Sequence, residues 1–104
     1  MAKYLLLVPS SPKPGQEDEY NRWYDEVHLK DVTAIPGVVS GRRYTADPSS
    51  PHPADTPYMA IYEVETDDPA QVFGEMYRRA TDGSMQISDA LDNSSAKMML
   101  FKAN

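Results

Sequence analysis

The sequence predicts an α+β protein, a four-stranded antiparallel sheet carrying two helices on one face. Three observations lead there. Four short segments are rich in aliphatic, aromatic and β-branched residues, two longer ones have helical character, and their order is strand, helix, strand, strand, helix, strand. A chain of 104 residues has material for one core, so residues 1–104 form a single domain. Right-handed crossovers fold two such strand–helix–strand units into the ferredoxin-like βαββαβ arrangement.

Residues 3–9 (KYLLLVP) are apolar on both faces and too short for a helix, as befits a central strand covered on both sides. The Ser-, Pro- and Gly-rich stretch SSPKPGQED is a connection. Helical character starts near Glu17, with Glu17, Asp18 and Glu19 placed where the helix dipole favours acids, and Pro36 and Gly37 close the helix. Residues 38–46 (VVSGRRYTA) alternate as a second strand, and DPSSPHPADTP, with its four prolines, is a surface loop. Residues 58–65 form a third strand, with Tyr58, Ala60, Tyr62 and Val64 on one face and Met59, Ile61, Glu63 and Glu65 on the other. Asp67 or Asp68 caps a second helix that has Pro69 in its first turn and Val72, Phe73, Met76, Tyr77 and Ala80 along one side. After Gly83 the segment SMQISDALDNSSA has room for a short extra turn of helix, and residues 97–103 (KMMLFKA) are the last strand. That strand belongs at a sheet edge yet is apolar on both faces, so something must cover it. A second copy packed sheet to sheet is the economical cover, and the long loop and the tail of the same chain are the alternative.

Composition narrows the function. The net charge is −6, and the ten Lys and Arg residues are scattered, without the basic stripe that a phosphate backbone requires, so nucleic acid is not an expected partner. No cysteine means no disulfide, no thiolate metal site and no thiol nucleophile, and two histidines make a poor metal cage. The longest apolar run, YLLLV, is too short for a signal-peptide core or a membrane span, and a cytoplasmic protein without membrane contact is expected. No Gly-rich phosphate cradle or serine elbow is present, and no cofactor is expected.

The first helix carries the candidate chemistry. At about 100° per residue, Tyr20, Trp23, Tyr24 and Val27 share one arc, Asp31 falls in its middle and His28 on its edge. A carboxylate near a helix C-terminus and on the buried side needs a partner. His28 can supply it, as can Arg42 or Arg43 on the next strand. A carboxylate bonded to imidazole fixes its tautomer and raises its pKa, which readies a base. His28 and Asp31 are therefore the candidate catalytic pair, with Tyr20, Trp23, Tyr24, Tyr58, Tyr62 and Arg43 as candidate substrate contacts. Arg42 and Arg43 point to opposite sheet faces, so only one can meet the helices. His52 lies in the proline-rich loop, where solvation is expected.

The run YNRWYDEVHLKDVTAIPGVVSGRRY, preceded by a strand and a loop, resembles the first half of the EthD-like group of the dimeric α+β barrel superfamily. The matching positions are Asn21, Trp23, Tyr24, His28 and Asp31, then Pro36, Gly37, Arg43 and Tyr44. The likeness covers about residues 4–44 closely and the remainder by element order. It implies dimerisation into an α+β barrel and a pocket between the sheet and the first helix, with His28 projecting into it. Superfamily members include cyclases, lactone isomerases, cofactor-free oxygenases, haem-degrading enzymes and proteins with no known reaction. The second helix has no histidine, which counts against the haem-degrading branch. The leading expectation is a cofactor-independent cyclase, isomerase, dehydratase or other lyase acting on an aromatic or polyketide-like molecule. The alternatives are a cofactor-free oxygenase using Trp23 and Asn21, and a non-catalytic binder of apolar metabolites.

Overall fold

The run of apolar residues near the N-terminus makes the sheet's central strand, β1 (Ala2–Pro12), in a computed structural model that describes residues 1–104. β3 (Tyr58–Thr66) pairs antiparallel along it from Ala2↔Thr66 to Ser10↔Tyr58, and β2 (Val38–Thr45) lies outside β3 with a bulge between Val38 and Ser40. β5 (Met99–Lys102) pairs with the other side of β1, from Tyr4 to Leu7. The order β2-β3-β1-β5 is that of the ferredoxin-like fold.

A fifth strand, β4 (Leu91–Asp92), pairs with Ser11 and Pro12 and carries β1 past the expected end at Pro9. Between the β4 and β5 pairings, Val8, Pro9 and Ser10 have no strand beside them on that edge. The chain arches over the gap through the 3₁₀ turn Asn93–Ser95, tied back by the Lys97 amide to the Pro9 carbonyl and by the Ser11 amide to the Ser95 hydroxyl.

One helical rod and one separate helix cover a single face. The rod consists of α1 (Glu17–Trp23), a π turn (Tyr24–His28) and α2 (Leu29–Thr33). In α3 (Pro69–Asp82), Asp68 caps the start by accepting from the Ala70 amide, Pro69 opens the first turn, and Gly83 ends the helix at φ 86°. The core between the layers takes Leu6, Ala60, Tyr62 and Val64 from the sheet, Tyr20, Trp23, Tyr24 and Val32 from the rod, and Val72 from α3. Each fully buried aliphatic side chain contributes about 1.5–3 kcal/mol. No helix is long and apolar enough to cross a membrane.

The opposite sheet face is bare. Leu5, Met99, Phe101 and Tyr44 are all more than a third exposed there, with Leu7, Met59 and Ile61 between them in the strand register. The loop that follows β2 leans over this face, and a hollow of about 610 Å³ runs between it and β5 past Tyr44, Met59 and Met99. The proline-rich loop is thus no lid for the helix-side space, and His52 within it is exposed, as expected.

Candidate functional site

The site is made by the π turn. An i→i+5 turn inserts one extra residue into a helix, and here the Leu29 amide bonds the Tyr24 carbonyl five residues back. Beyond Tyr24 the buried stripe slips by one position and runs Tyr20, Trp23, Tyr24, His28, Val32, Ile35 instead of through Val27 and Asp31. The slip carries His28 from the edge of the stripe to its middle. It also brings two residues five apart into contact, the His28 imidazole stacking on Trp23 with ring centroids 4.5 Å apart and planes at 24°, while Tyr24, four residues back, meets His28 edge-on at 5.0 Å.

The expectation for Asp31 is corrected by the same slip. Asp31 forms no hydrogen bond or ion pair with His28 or with any arginine, and it does not line the cavity that His28 faces. Wheel-counting placed it in the buried stripe only by assuming an unbroken α-helix. Val32 takes that place.

His28 opens onto a cavity of about 410 Å³, walled by 17 residues of which 14 are hydrophobic. The sheet supplies Val8, Ser10 and Tyr62, the rod Trp23, Tyr24, His28 and Val32, and α3 contributes Phe73, Met76, Tyr77 and Ala80. The segment after Gly83 closes the remaining side through Met85, Ile87, Leu91 and residues 96–98, and the Trp23 indole N–H pins it by donating to the Gln86 carbonyl at 2.9 Å. The expected short turn of helix in this segment is the 3₁₀ turn Asn93–Ser95, and the expected strand from Lys97 starts at Met99; the segment's role as a cavity wall has no periodic signal. The α3 stripe was legible, but it faces the cavity and leaves Tyr77 three quarters exposed.

Electrostatically the cavity is apolar around His28, with a few polar atoms and one lysine, Lys97, at its rim. Burial lowers the His28 pKa to about 4, so its imidazole is uncharged at neutral pH. Burial, followed by the neighbouring Tyr20, raises Tyr24 to about 12, and burial pushes Tyr62 higher still. Both phenols are therefore O–H donors. His28 Nδ1 and the Tyr62 hydroxyl are buried and complete no hydrogen bond of good geometry within the protein, the Tyr62 hydroxyl lying beside the Tyr24 phenol that shifts its pKa.

Three other expected contacts gather elsewhere. The Arg43 side chain, 12% exposed, donates to Asp25 and to Asn21 at 2.8 Å each, and its guanidinium lies 5.4, 4.7 and 5.1 Å from the ring centres of Tyr20, Tyr24 and Tyr58. Asn21 donates onward to the Tyr58 hydroxyl, and Tyr20 shares a 2.6 Å hydrogen bond with Ser10. Tyr20, Tyr58 and Arg43 thus do not line the cavity; they clamp the rod to β2 and β3 behind it through cation–π and charge-assisted contacts. Trp23, Tyr24 and Tyr62 do line it. Arg42 faces the bare side of the sheet, over Tyr44. Ser10 was missed because a serine closing an apolar strand carries no signal of its own.

No family model matches the chain, and no curated protein matches it in sequence. Solved structures do match. A candidate monooxygenase from Shewanella loihica is 15% identical, with a TM-score of 0.64 over 100% of this chain and 97% of that one. An EthD family protein from Bacillus halodurans is 15% identical, with a TM-score of 0.60 over 100% of both chains. The chain has the ferredoxin-like fold that these proteins share. A haem degrader from Mycobacterium tuberculosis, with two haems in its active site, shares it at 14% identity and a TM-score of 0.58 over 96% of this chain and 94% of that one. Likeness at this level is of architecture, and one fold hosts unrelated chemistries, so function rests on the cavity itself.

Proposed function

We propose that this protein is a small enzyme that takes an aromatic or polyketide-like molecule into the helix-side cavity and moves a proton on it with His28 as base. One observation carries the reading. The buried side-chain polar atoms without a partner are two, His28 Nδ1 and the Tyr62 hydroxyl, and both belong to residues lining the same cavity. Buried polar atoms are almost always paired, and each orphan costs about 1–3 kcal/mol. A ligand carrying a carbonyl oxygen for the Tyr62 and Tyr24 phenols and an acidic C–H or O–H for His28 would meet both needs once it displaces the wall enough to reach these atoms, which are closed to water as the side chains stand. The phenols stabilise the oxygen as it gains charge, and the imidazole accepts the proton. Cyclisation, isomerisation and dehydration all begin with such a step.

A substrate-independent test is α-proton exchange of 2-tetralone in D₂O, followed by NMR. The wild type is expected to accelerate exchange, and His28→Gln to lose about 10²–10⁴ of that acceleration; equal rates in both reject the proposal. His28 also supports a second reading, because an imidazole with a pKa near 4 and no carboxylate behind it is a weak base. A retained small molecule seen by native mass spectrometry, with no exchange activity, would mark the protein as a binder. The oxygenase reading draws less support, since Asn21 is spent on Arg43 and Tyr58. Haem suits the cavity poorly, because its two carboxylates would meet a wall whose one cation is Lys97.

The bare sheet face supports a homodimer closing into an α+β barrel, with the Leu5, Met99 and Phe101 surfaces of two copies facing each other. Phe101→Glu is expected to give a monomer by analytical ultracentrifugation where the wild type sediments as a dimer. A monomeric wild type removes the proposal.

A further inference from the structure

Sixteen acidic residues are spread over this chain, yet no Asp or Glu lines the helix-side cavity. The one lysine, arginine or acid among its lining residues is Lys97, which stands on the rim between this cavity and the hollow on the bare sheet face. His28 is neutral there because burial holds its pKa down, and the Tyr24 and Tyr62 phenols stay protonated, so Lys97 alone gives the cavity a sign. Lys97 forms no ion pair within the protein, unlike Arg22, Arg43, Arg78 and Arg79. It sits on the arch that spans the unpaired edge of β1, held by its own amide to the Pro9 carbonyl, with its side chain exposed. Exposed Met98 and Ile87 stand in the same wall. The cavity is therefore apolar and neutral at the His28 end and cationic at its solvent-exposed arch.

We infer that Lys97 selects the substrate class: an aromatic or polyketide body carrying one carboxylate that stays at the arch while the neutral reacting part reaches His28. The inference rests on the cavity being the ligand site proposed above. An anion approaching a protein of net charge −6 meets a repulsive field, and an apolar cavity offers an anion nothing but desolvation cost. Lys97 offsets both locally. The reacting oxygen does not need Lys97, because the phenols serve it. The lysine therefore discriminates in binding and leaves the chemical step alone.

Binding of 2-naphthoate and of its neutral counterpart 2-naphthalenemethanol tests this, with the single tryptophan, Trp23, as the reporter, since it lines the cavity. Wild type is expected to bind the naphthoate about fivefold more tightly than the alcohol at low ionic strength, a preference that shrinks as salt rises. Lys97→Met should abolish the preference while the alcohol binds as before, and Lys97→Glu should reverse it. Equal binding of the two probes by wild type and Lys97→Met overturns the role of Lys97 and leaves the cavity as a ligand site. Failure of both probes to perturb Trp23 overturns the inference and the cavity reading together. Preference for naphthoate that survives in Lys97→Glu places the anion elsewhere and also overturns it.

Discussion

His28→Phe is expected to abolish proton exchange while making the protein more resistant to mild acid. The phenyl ring keeps the stack on Trp23 and removes the orphaned Nδ1, so stability at pH 7 should hold or rise by about 1 kcal/mol. The larger effect appears on acidification. In the unfolded chain a histidine titrates near 6.5, whereas burial lowers His28 in the folded protein to about 4. Between those values the unfolded state binds the extra proton, so the stability that neutral His28 allows above pH 6.5 is lost as the pH falls toward 4. The loss is about 2–3 kcal/mol over that window, after allowing for the ring's partial exposure. Urea unfolding of wild type and variant from pH 7 to pH 4 should show wild type losing that much more. Parallel pH dependences would mean that His28 titrates normally and is not desolvated by the fold. In the same window kcat/KM of the wild type should stay level and fall only as pH drops through about 4, because it reports the free enzyme's base.

This pairing of instability with function explains which parts of the molecule could be read from its residues. The strands were legible because burial enforces a period of two: Ala60, Tyr62 and Val64 are buried while Glu63 is exposed, as alternation required. The start of α3 was legible to within one residue, Asp67 or Asp68 as cap with Pro69 behind it, because a capping carboxylate and an N1 proline each solve a local backbone problem; the structure uses Asp68. The π turn was not. Nothing in YDEVH distinguishes an i→i+5 turn from an α turn, and its cost is met by tertiary contacts: the Arg43 clamp on Asn21 and Asp25 and the Trp23 bond to Gln86. Its consequence is large, since one inserted residue exchanges Asp31 for Val32 in the buried stripe and turns His28 inward. The motif resemblance puts His28 at a pocket, and His28 lines the helix-side cavity, while the helical wheel gives it a partner, Asp31, that the geometry does not provide. The cavity's far wall was likewise hidden, because residues 85–98 owe their position to contacts with β1 and Trp23 rather than to any pattern of their own.

Gly41→Ala should show how tightly the sheet holds the site. Gly41 sits opposite Tyr62 in the β2–β3 register, and an added Cβ would lie 2.7 Å from both Cδ1 and Cε1 of the Tyr62 ring and 3.1 Å from Cγ2 of Thr33. Tyr62 is 1% exposed and cannot swing aside freely. The methyl group should therefore cost about 1–3 kcal/mol, lowering Tm by about 4–8 °C for each kcal/mol in a domain of this size. The ring's displacement also moves its hydroxyl in the cavity, so the exchange rate should fall at least about tenfold even under conditions where the variant is fully folded. Two controls separate these effects. Tyr62→Phe deletes the orphaned hydroxyl and keeps the ring, so it should lower the rate with stability unchanged or slightly raised. Gly41→Ala combined with Tyr62→Leu relieves the collision, so the double variant should be less destabilised than the two single changes added together. Strict additivity would mean that the β2 backbone does not set the position of Tyr62, and the link from a strand glycine to the polar end of the cavity would be lost.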